Sequence, residues 1–300
     1  GGCSRHRDYI SVTVRYQRSP VDLIPLKSYS LVFHELKKLK RNRKDNKRTA
    51  GRVLIFAGSF GMAGAGVMCV RGALRGGAGL VTCCTSRDII PIIQISVPQG
   101  MCKDIEEAEA INLNEYDAIA FGSGFILDKN VDILRRILKE YRGKLVIDAE
   151  GLNIITQNNL FDSVKSSSAD IVITPHIGEG ARLIGEQISD REKALKALIE
   201  KTDASVLLKG NNTLVGNGQR IYKNETGNPA LATGGSGDVL TGIIAAFMAR
   251  GIDGFYAASG GAFVHGRAAD LLAEEKCEIG MSTEDLTEKI PCVLKELLYS

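Results

Sequence analysis

The most constraining feature of the sequence is an order of segments that recurs along most of the chain. A short, continuously apolar segment is followed by a loop rich in glycine or polar residues, and then by residues with helical periodicity. Such apolar segments cover residues 53–57, 79–84, 116–121, 144–148, 170–174 and 205–209. Continuous apolar runs of this length are typical of parallel strands that are covered on both faces. The recurrence predicts one α/β domain with a largely parallel central sheet flanked by helices on both faces.

The C-terminal part of the chain departs from this order. Residues 213–216 and 220–222 are separated by an Asn-Gly pair at 217–218, which predicts a β-hairpin. Residues from about 254 to 274 and from about 283 to 299 are predicted to form helices, because their apolar residues recur at helical spacing.

The loops that follow the predicted strands are expected to lie at one edge of the sheet. Ligands of open α/β sheets bind beyond the carboxyl ends of the strands, and the glycine-rich and polar loops of this chain all follow strands. This edge would bring together the carboxylate of Asp238, the ammonium group of Lys209, the imidazole of His176 and several glycine-rich loops.

One of these loops, within residues 228–240, has the features of an anion site. Glycines occupy positions 234, 235 and 237, and an apolar stripe at helical spacing begins at Val239. A glycine loop that opens a buried helix directs free N–H groups and the positive end of the helix dipole at one point, which favours phosphate. Asp238, in the first turn, would compete with a bound anion unless it had a role of its own. An ordinary loop with an acidic residue is the alternative interpretation.

Composition limits the classes of function. The 300 residues are 44% hydrophobic and 24% charged, as expected of a globular chain with one or two domains, and the net charge of +3 is too small to indicate nucleic acid. The seven cysteines form no CxxC pair, so we interpret them as reduced and the protein as cytoplasmic. No segment resembles a transmembrane span or a secretory signal, and no membrane partner is predicted.

The first 46 residues differ from the rest in composition and in hydrophobic pattern. Residues 9–15 alternate weakly like a strand, and residues 35–48 are strongly basic. The basic segment is either an arm that binds nucleic acid or phosphate, or a solvated helix end and linker. The absence of interleaved aromatic residues favours the linker. We therefore predict an N-terminal extension over residues 1–46, a main domain over residues 47–300, and no nucleic-acid partner.

Several familiar chemistries do not fit the motifs. The four histidines are scattered, so no metal-ligating residue is predicted. Ser236 lacks the GxSxG pattern of a nucleophile elbow, residues 58–66 do not have dinucleotide-binding spacing, and no Walker A lysine-serine pair is present. The chemistry that still fits is the binding of phosphate at an anion site, next to a carboxylate that can take a proton from a substrate hydroxyl. Enzymes that transfer phosphoryl groups use this arrangement.

Five motifs that occur together and in order give a more specific indication. From about residue 47 onward they resemble the NAD(P)H-hydrate dehydratase family, which has the ribokinase-like fold; single motifs are shared with related small-molecule kinases. The motifs are Gly-Ser with Gly-Ala (58–65), Val-Ile-Asp-Ala with Gly-Leu-Asn (146–153), Thr-Pro-His with Gly-Glu and Ala-Arg-Leu (174–183), Leu-Lys-Gly (208–210), and Asn-Pro with Ala-Thr-Gly-Gly-Ser-Gly-Asp-Val-Leu (228–240).

The resemblance implies repair of a damaged cofactor. Members use ADP or ATP to remove water from the S epimer of hydrated NADH or NADPH. The ring hydroxyl is phosphorylated, and phosphate, unlike hydroxide, then leaves readily. Asp238 would deprotonate the hydroxyl, and the amides of residues 234–237 would stabilise the developing charge. Mg²⁺, an adenine nucleotide and a homo-oligomer, suspected to be a tetramer, are also implied.

The resemblance assigns roles to further residues by matched motif. The hydrated nicotinamide nucleotide would contact Ala65, Gly124, His176 and Asp238. The adenine nucleotide would contact Lys209, Gly210, Asn211, Asn212, Thr213, Gly234, Gly235, Ser236 and Gly237. Taken alone, His176 is better interpreted as a loop histidine satisfied by backbone groups, and only its place in the motif at 174–179 favours a role in the site. Asp148 is either a carboxylate that supports the site or contacts magnesium, or a cap at a strand end.

The chain departs from the usual family pattern at a few positions. Ser123 and Ile177 stand where proline is common, Glu150 replaces an aspartate, and Asn211-Asn212 replaces small residues. These departures leave the catalytic loop unchanged. Many relatives are fused to a preceding epimerase domain, and residues 1–46 are too short to contain one, so epimerase activity is not predicted.

Two other hypotheses remain open from the sequence. A kinase of a small alcohol, such as a vitamin precursor, would account for the Gly-Ser-Gly-Asp loop at 235–238 alone. A non-catalytic nucleotide sensor or an RNA-binding protein would use the basic segment instead.

Overall fold

The computed structural model describes residues 24–25, 29–126 and 128–299, which form a sheet of ten strands flanked by helices. The weak strand predicted over residues 9–15 lies outside the described residues. The strands are β1 (Ile24–Pro25), β2 (Arg52–Phe56), β3 (Leu80–Thr85), β4 (Met101–Asp104), β5 (Ala118–Phe121), β6 (Lys144–Ile147), β7 (Asp170–Ile173), β8 (Ser205–Leu208), β9 (Leu214–Gly216) and β10 (Arg220–Lys223).

The sheet is mostly parallel, as predicted. Its strand order is β1-β10-β9-β8-β7-β6-β5-β2-β3-β4, and every pair from β8 to β4 in this order is parallel. Only β9 runs antiparallel to its neighbours β8 and β10 among the described strands. The predicted hairpin is confirmed as β9 and β10, and Asn217 Oδ1 closes its turn by accepting hydrogen bonds from the backbone of Gln219 and Arg220.

Helices cover both faces of the sheet. On one face, β2 directs Val53 and Ile55 into a core with α1, α2, α3, α9, α10 and α11; on the other, it directs Leu54 and Phe56 into a core with α4 to α8. The helices are α1 (Tyr29–Leu36), α2 (Ala63–Arg75), α3 (Ile90–Ser96), α4 (Asn130–Glu140), α5 (Glu150–Gln157), α6 (Phe161–Ser166), α7 (Ile177–Ile184), α8 (Arg191–Thr202), α9 (Ser236–Ala249), α10 (Gly254–Glu275) and α11 (Thr283–Tyr299).

The order of strands creates a crevice at one edge. The chain passes from β2 outward to β3 and β4, and then returns to place β5 on the other side of β2. The loops after β2 and β5 therefore diverge at a topological switch point, which is where open α/β sheets bind ligands.

Close packing of α2 against α9 fixes the helix that opens at this crevice. A Cβ atom at Gly72 would lie 2.3 Å from the carbonyl oxygen of Val239, and one at Gly242 would lie 2.2 Å from that of Cys69. Any larger residue would push the two helices apart. The N-terminus of α9 is consequently held against the sheet by backbone-to-backbone contact.

Helix α1, which precedes residue 47, is packed onto the core that contains Val53 and Ile55. Val32 and Leu36 of α1 are fully buried, and Arg250 at the end of α9 donates hydrogen bonds to the carbonyl oxygens of Lys38 and Thr49. The domain boundary between residues 46 and 47 stays a prediction. No helix among the described residues is long and apolar enough to cross a membrane.

Candidate active site

The loop at residues 228–240 opens helix α9 at the carboxyl edge of the sheet. Gly235 precedes the helix with φ of 87°, a left-handed conformation that favours glycine, and Asp238 is the third residue of the helix. The first N–H groups of α9 have no carbonyl partner within the helix and, with the helix dipole, favour negative charge at this point. Gly234, in the loop before the helix, is exposed.

A buried ion pair lies beside this helix end. Asp148 follows β6 and is 2% exposed; it accepts a hydrogen bond of 2.7 Å from Lys209 Nζ and one of 2.9 Å from Thr241 Oγ1. A second carboxylate, that of Glu179, lies 3.8 Å from Lys209 Nζ. Burial lowers the pKa of Lys209, but the charges of Asp148 and Glu179 outweigh it, so the pKa is raised and the lysine is cationic.

Asp238 has an acidity suited to proton transfer. Burial, and then the negative charge of Asp148, raise its pKa from 3.8 to about 6, whereas Ser123 and the charge of Lys209 oppose the shift. A carboxylate with a pKa near the working pH is an effective general base. The pair of Asp148 and Lys209 therefore places one negative and one positive charge next to Asp238, the first raising its pKa and the second lowering it.

Two glycines, Gly237 and Gly122, allow the start of α9 and the loop after β5 to lie close to the pair of Asp148 and Lys209. A Cβ at Gly237 would lie 3.6 Å from Lys209 Nζ and 3.9 Å from Asp148 Oδ2. Gly122, directly after β5, has φ of 122°, and a Cβ there would lie 1.9 Å from the carbonyl oxygen of Asp148. Side chains at either glycine would contact the ion pair or displace the loop that carries it.

The structure brings together Ala65 and Gly124, two of the residues assigned to the substrate. A Cβ at Gly124, whose φ is 59°, would lie 2.6 Å from the Cβ of Ala65. Both residues are partly exposed at the crevice formed by the loops after β2 and β5. Ser59 Oγ donates to the carbonyl oxygen of Gly124 at 2.9 Å and joins the two loops.

His176 caps the N-terminus of helix α7. Its Nδ1 accepts hydrogen bonds from the backbone N–H groups of Gly178 at 2.9 Å and Glu179 at 3.2 Å, and Glu179 Oε2 accepts from the His176 N–H in return. Because Nδ1 is an acceptor, the ring proton is on Nε2. The side chain is 55% exposed, and its Nε2 lies 3.5 Å from Glu179 Oε1. The interpretation of His176 as a backbone-satisfied residue is therefore correct for one of its nitrogens.

The proposed nucleotide loop, residues 209–213, has an unusual backbone. Gly210 has φ of 146° and Asn212 has φ of 52°, while Thr213 Oγ1 donates to the carbonyl oxygen of Gly210 at 3.0 Å. Asn211 and Asn212 are exposed. Arg191, on α8, donates to the carbonyl oxygens of Leu208 and Asn211 and so holds both ends of the turn.

Two residues that contact the site were not predicted from the sequence. Arg191 carries no motif, and only its contact with residues 208–211 identifies it. His265 of α10 is buried, and its Nε2 lies 3.0 Å from the carbonyl oxygen and 3.1 Å from the hydroxyl of Ser236. Burial lowers the pKa of His265 to about 4, so it is a neutral donor that anchors the first residue of α9.

The described residues contain no group of three or more His, Cys, Asp or Glu side chains arranged to hold a metal ion. Both oxygens of Asp148 are already engaged by Lys209 and Thr241. A protein-held magnesium cage does not fit this donor set.

Comparison with known proteins identifies the family. A sequence model described as NAD(P)H-hydrate dehydratase matches residues 53–292. The ADP-dependent (S)-NAD(P)H-hydrate dehydratase of Neisseria meningitidis is 35% identical over 241 residues, covering 78% of this chain and 81% of that protein. The chain belongs to the NAD(P)H-hydrate dehydratase family.

Solved structures agree with this membership. The ADP/ATP-dependent NAD(P)H-hydrate dehydratase of Bacillus subtilis, co-crystallized with ATP and Mg²⁺, is 28% identical, with a TM-score of 0.77 over 88% of this chain and 97% of that chain. A ribokinase-like superfamily protein from Enterococcus faecalis, 24% identical, has a TM-score of 0.79 over 97% of this chain and 100% of that chain. The predicted ribokinase-like fold is confirmed.

The family contains proteins of different length. This chain covers only 52% of the length of several bifunctional NAD(P)H-hydrate repair enzymes to which it is also similar.

Proposed function

We propose that this chain removes water from the S epimer of hydrated NADH and NADPH, using ADP or ATP, and so returns the reduced cofactor. The observation that carries the proposal is the group of Asp238, Asp148 and Lys209 at the N-terminus of α9. It combines a base of suitable pKa with a cation and free backbone N–H groups at one point. Family membership supports the choice of substrate.

In the first step, Asp238 takes the proton of the ring hydroxyl. The oxygen attacks the terminal phosphorus of the nucleotide, an O–P bond forms, and the bond from that phosphorus to the bridging oxygen of the nucleotide breaks. The leaving nucleotide is one phosphate shorter. Lys209 and the N–H groups of Gly237 and Asp238 would stabilise negative charge on the transferred group, since the Ser236 N–H already donates to the carbonyl oxygen of Thr233. They do so best in a partly buried site where electrostatic interactions are strong.

In the second step, the C–O bond to the new phosphate breaks. The lone pair of the ring nitrogen supplies the electrons, inorganic phosphate leaves, and the neighbouring ring carbon loses a proton to restore the double bond of NAD(P)H. The chain needs no oxidant or reductant. Its contribution to this step is to hold the ring and exclude water, and the crevice between Ala65 and Gly124 is the proposed place for the ring.

Magnesium would accompany the nucleotide rather than occupy a site of its own. Mg²⁺ is commonly held through substrate phosphates with several retained waters, and the carboxylates here are engaged in protein contacts. We propose residues 209–213 and 234–237 as the nucleotide contacts, because the first loop is held by Arg191 next to Lys209 and the second presents the helix N-terminus.

A cytoplasmic location and a tetrameric assembly are also proposals. Six cysteines within the described residues are free thiols, which fits a reducing compartment.

The test is recovery of reduced-nicotinamide absorbance. Purified S and R hydrates of NADH and NADPH are incubated separately with the protein, Mg²⁺ and either ADP or ATP. Recovery with the S epimer that requires nucleotide is expected. No recovery with either nucleotide would contradict the proposal, and a stable phosphorylated alcohol from a panel of vitamin precursors would instead identify a small-molecule kinase.

A further inference from the structure

Arg191, the first residue of α8, is placed against the electrostatic preference of a helix. The N-terminus of a helix carries partial positive charge, which stabilises carboxylates there and not cations. The preceding Asp190 follows this preference, because its side chain accepts hydrogen bonds from the N–H groups of Glu192 and Lys193. The charge of Arg191 therefore does not stabilise its own helix, and its contacts outside the helix explain its position better.

The guanidinium group of Arg191 is enclosed by the loop that follows β8. Its Nη2 donates a hydrogen bond of 3.1 Å to the carbonyl oxygen of Leu208, and its Nη1 donates to that of Asn211. A Cβ at Gly210 would lie 3.2 Å from Nη2 and 3.4 Å from Cζ, so the loop passes directly over the guanidinium. One side chain therefore binds the carbonyl groups on both sides of the turn.

The same contacts leave N–H groups of the loop unpaired. In a trans peptide the C=O and N–H groups point in opposite directions, so the N–H of Asn212 points away from the guanidinium that binds the Asn211 carbonyl. The N–H groups of Gly210, Asn211 and Asn212 have no acceptor within the part of the chain that the structure describes. Asn211 and Asn212 are exposed, so these donors are open to a ligand.

The charge of Arg191 is not neutralised by any carboxylate among the described residues. Two other arginines that bind pairs of backbone carbonyls each have one: Arg136 pairs with Glu140 at 2.9 Å, and Arg250 pairs with Asp45 at 3.4 Å. Burial lowers the pKa of Arg191 without an opposing charge, but a guanidinium stays protonated in proteins. Arg191 is thus a partly buried cation that is bound by neutral oxygens.

A cation without a counter-charge, next to unpaired N–H groups, favours an anion. We propose that Arg191 is a positioning residue for the nucleotide: it holds residues 209–213 with their N–H groups free, and its unneutralised charge attracts the phosphate groups of ADP or ATP to this loop. The inference rests on the proposed use of an adenine nucleotide. Lys209, at the start of the loop, lies 3.6 Å from where a Cβ at Gly237 would be, so the loop and the N-terminus of α9 can contact one phosphate chain.

The test is the binding of ADP with Mg²⁺, measured by calorimetry for the wild type, Arg191→Gln and Arg191→Lys. The glutamine removes the charge, whereas the lysine keeps the charge but cannot donate to both carbonyls in the same geometry. We expect the Kd to rise about tenfold in Arg191→Gln and about threefold in Arg191→Lys. Equal losses in the two variants would contradict a role for the charge. A rise of more than about tenfold in Arg191→Lys would do so even if Arg191→Gln does not fold.

Arg136→Gln is the matched control, since Arg136 also binds two backbone carbonyls but is neutralised by Glu140. Its Kd for ADP should stay within about twofold of the wild type. A tenfold loss in this control would show that any arginine bound to a loop has the same effect, and would overturn the assignment to Arg191.

Salt separates attraction by the charge from a change in loop shape. The Debye length falls from about 10 Å at 0.1 M to about 3 Å at 1 M ionic strength. The difference in Kd between the wild type and Arg191→Gln should therefore shrink from about tenfold at 0.1 M salt to under about threefold at 1 M. A difference that does not depend on salt would overturn the proposal.

Turnover gives a separate readout. In Arg191→Gln the KM for the nucleotide should rise about tenfold while kcat stays within about twofold, because Arg191 acts on binding and not on the reacting atoms. A fall in kcat with unchanged KM would contradict this. If the wild type binds ADP but does not restore NADH absorbance, the proposed function fails, and calorimetry still decides the role of Arg191. A wild type that binds neither ADP nor ATP overturns both.

Discussion

Two lysine–aspartate pairs stand at opposite edges of the sheet, and strand β6 contributes one member to each. At the amino edge, Lys144 begins β6 and lies 3.0 Å from Asp170. At the carboxyl edge, Asp148 follows β6 and lies 2.7 Å from Lys209. The two pairs have the same chemistry and similar lengths, so their surroundings alone account for any difference in function.

The amino-edge pair is surrounded by structural contacts. Lys144 also donates to the carbonyl oxygen of Ile252, and Asp170 accepts from the N–H of Gly254, so the pair attaches the turn between α9 and α10 to the sheet. Asp170 is 35% exposed. A cavity of about 580 Å³ lies beside it.

The carboxyl-edge pair is more deeply buried and faces the N-terminus of a helix. Asp148 is 2% exposed, and its charge raises the pKa of Asp238 in the first turn of α9. Backbone N–H groups without helical partners complete the surroundings. We propose that the carboxyl-edge ion pair is part of a reactive site because it lies beside a titratable group and a set of free donors. Variants matched between the two edges test this difference.

The largest effect is expected for Asp238→Asn. The amide cannot accept the substrate proton, so turnover should fall by about 10³-fold, within the range contributed by a general base. Binding of ADP or ATP, measured by calorimetry, should be retained, because the helix N-terminus is unchanged. Turnover within tenfold of the wild type would show that the base lies elsewhere.

Glycines at the two edges should differ in their tolerance of a side chain. Gly122→Ala places a Cβ on the carbonyl oxygen of Asp148, and we expect a loss of about 3 kcal/mol in the free energy of unfolding. Gly251 at the amino edge also has positive φ, at 86°, but nothing lies within 4 Å of an added Cβ. Gly251→Ala should therefore lose only about 1 kcal/mol. Equal losses in urea denaturation would refute this contrast.

Removing the lysine of each pair compares the pairs directly. Lys209→Gln removes the cation next to the transferred phosphate and leaves Asp148 with only Thr241, so kcat/KM should fall by about 10²-fold. Lys144→Gln should change kcat/KM by less than about twofold and destabilise the chain by under about 1 kcal/mol, since its pair is partly exposed. Similar activity losses in both variants would remove the distinction between the edges.

The smallest effect concerns stability. The folded-state pKa of Asp238, about 6, lies above its ordinary value of 3.8, so the folded state binds the proton more tightly. Stability contributed by this group is present below pH 4 and is lost as pH rises through 6. Asp238→Asn should accordingly stabilise the chain by about 1–2 kcal/mol at pH 8 and by almost nothing at pH 4. Denaturation midpoints at both pH values measure the difference; a gain independent of pH would contradict it.

The sequence predicted the edge of the sheet but not the contacts made there. Apolar runs and the glycine loops after them located β2, β5 to β8 and α9, because burial on both faces and turn geometry leave local signals. Strand β4 and helices α3 and α8 were not predicted, although Ala194, Leu195, Leu198 and Ile199 of α8 recur at helical spacing. Local patterns also placed Asp238 in the first turn of its helix.

The pairing of Lys209 with Asp148 could not be predicted in the same way. These residues are 61 positions apart and follow strands separated by β7, so their contact depends on strand order and on the position of α9. Arg191 and His265 reach the site only in the folded chain, and neither left a sequence signal.

The most direct test of the account is the fate of the ring oxygen. S-NADH hydrate with an ¹⁸O-labelled hydroxyl is incubated with the protein, Mg²⁺ and ATP or ADP, and the released inorganic phosphate is analysed by mass spectrometry. Phosphorylation of the ring hydroxyl by the carboxyl-edge site predicts one ¹⁸O atom in each phosphate. Recovery of NADH with the label in water and unlabelled phosphate would contradict it.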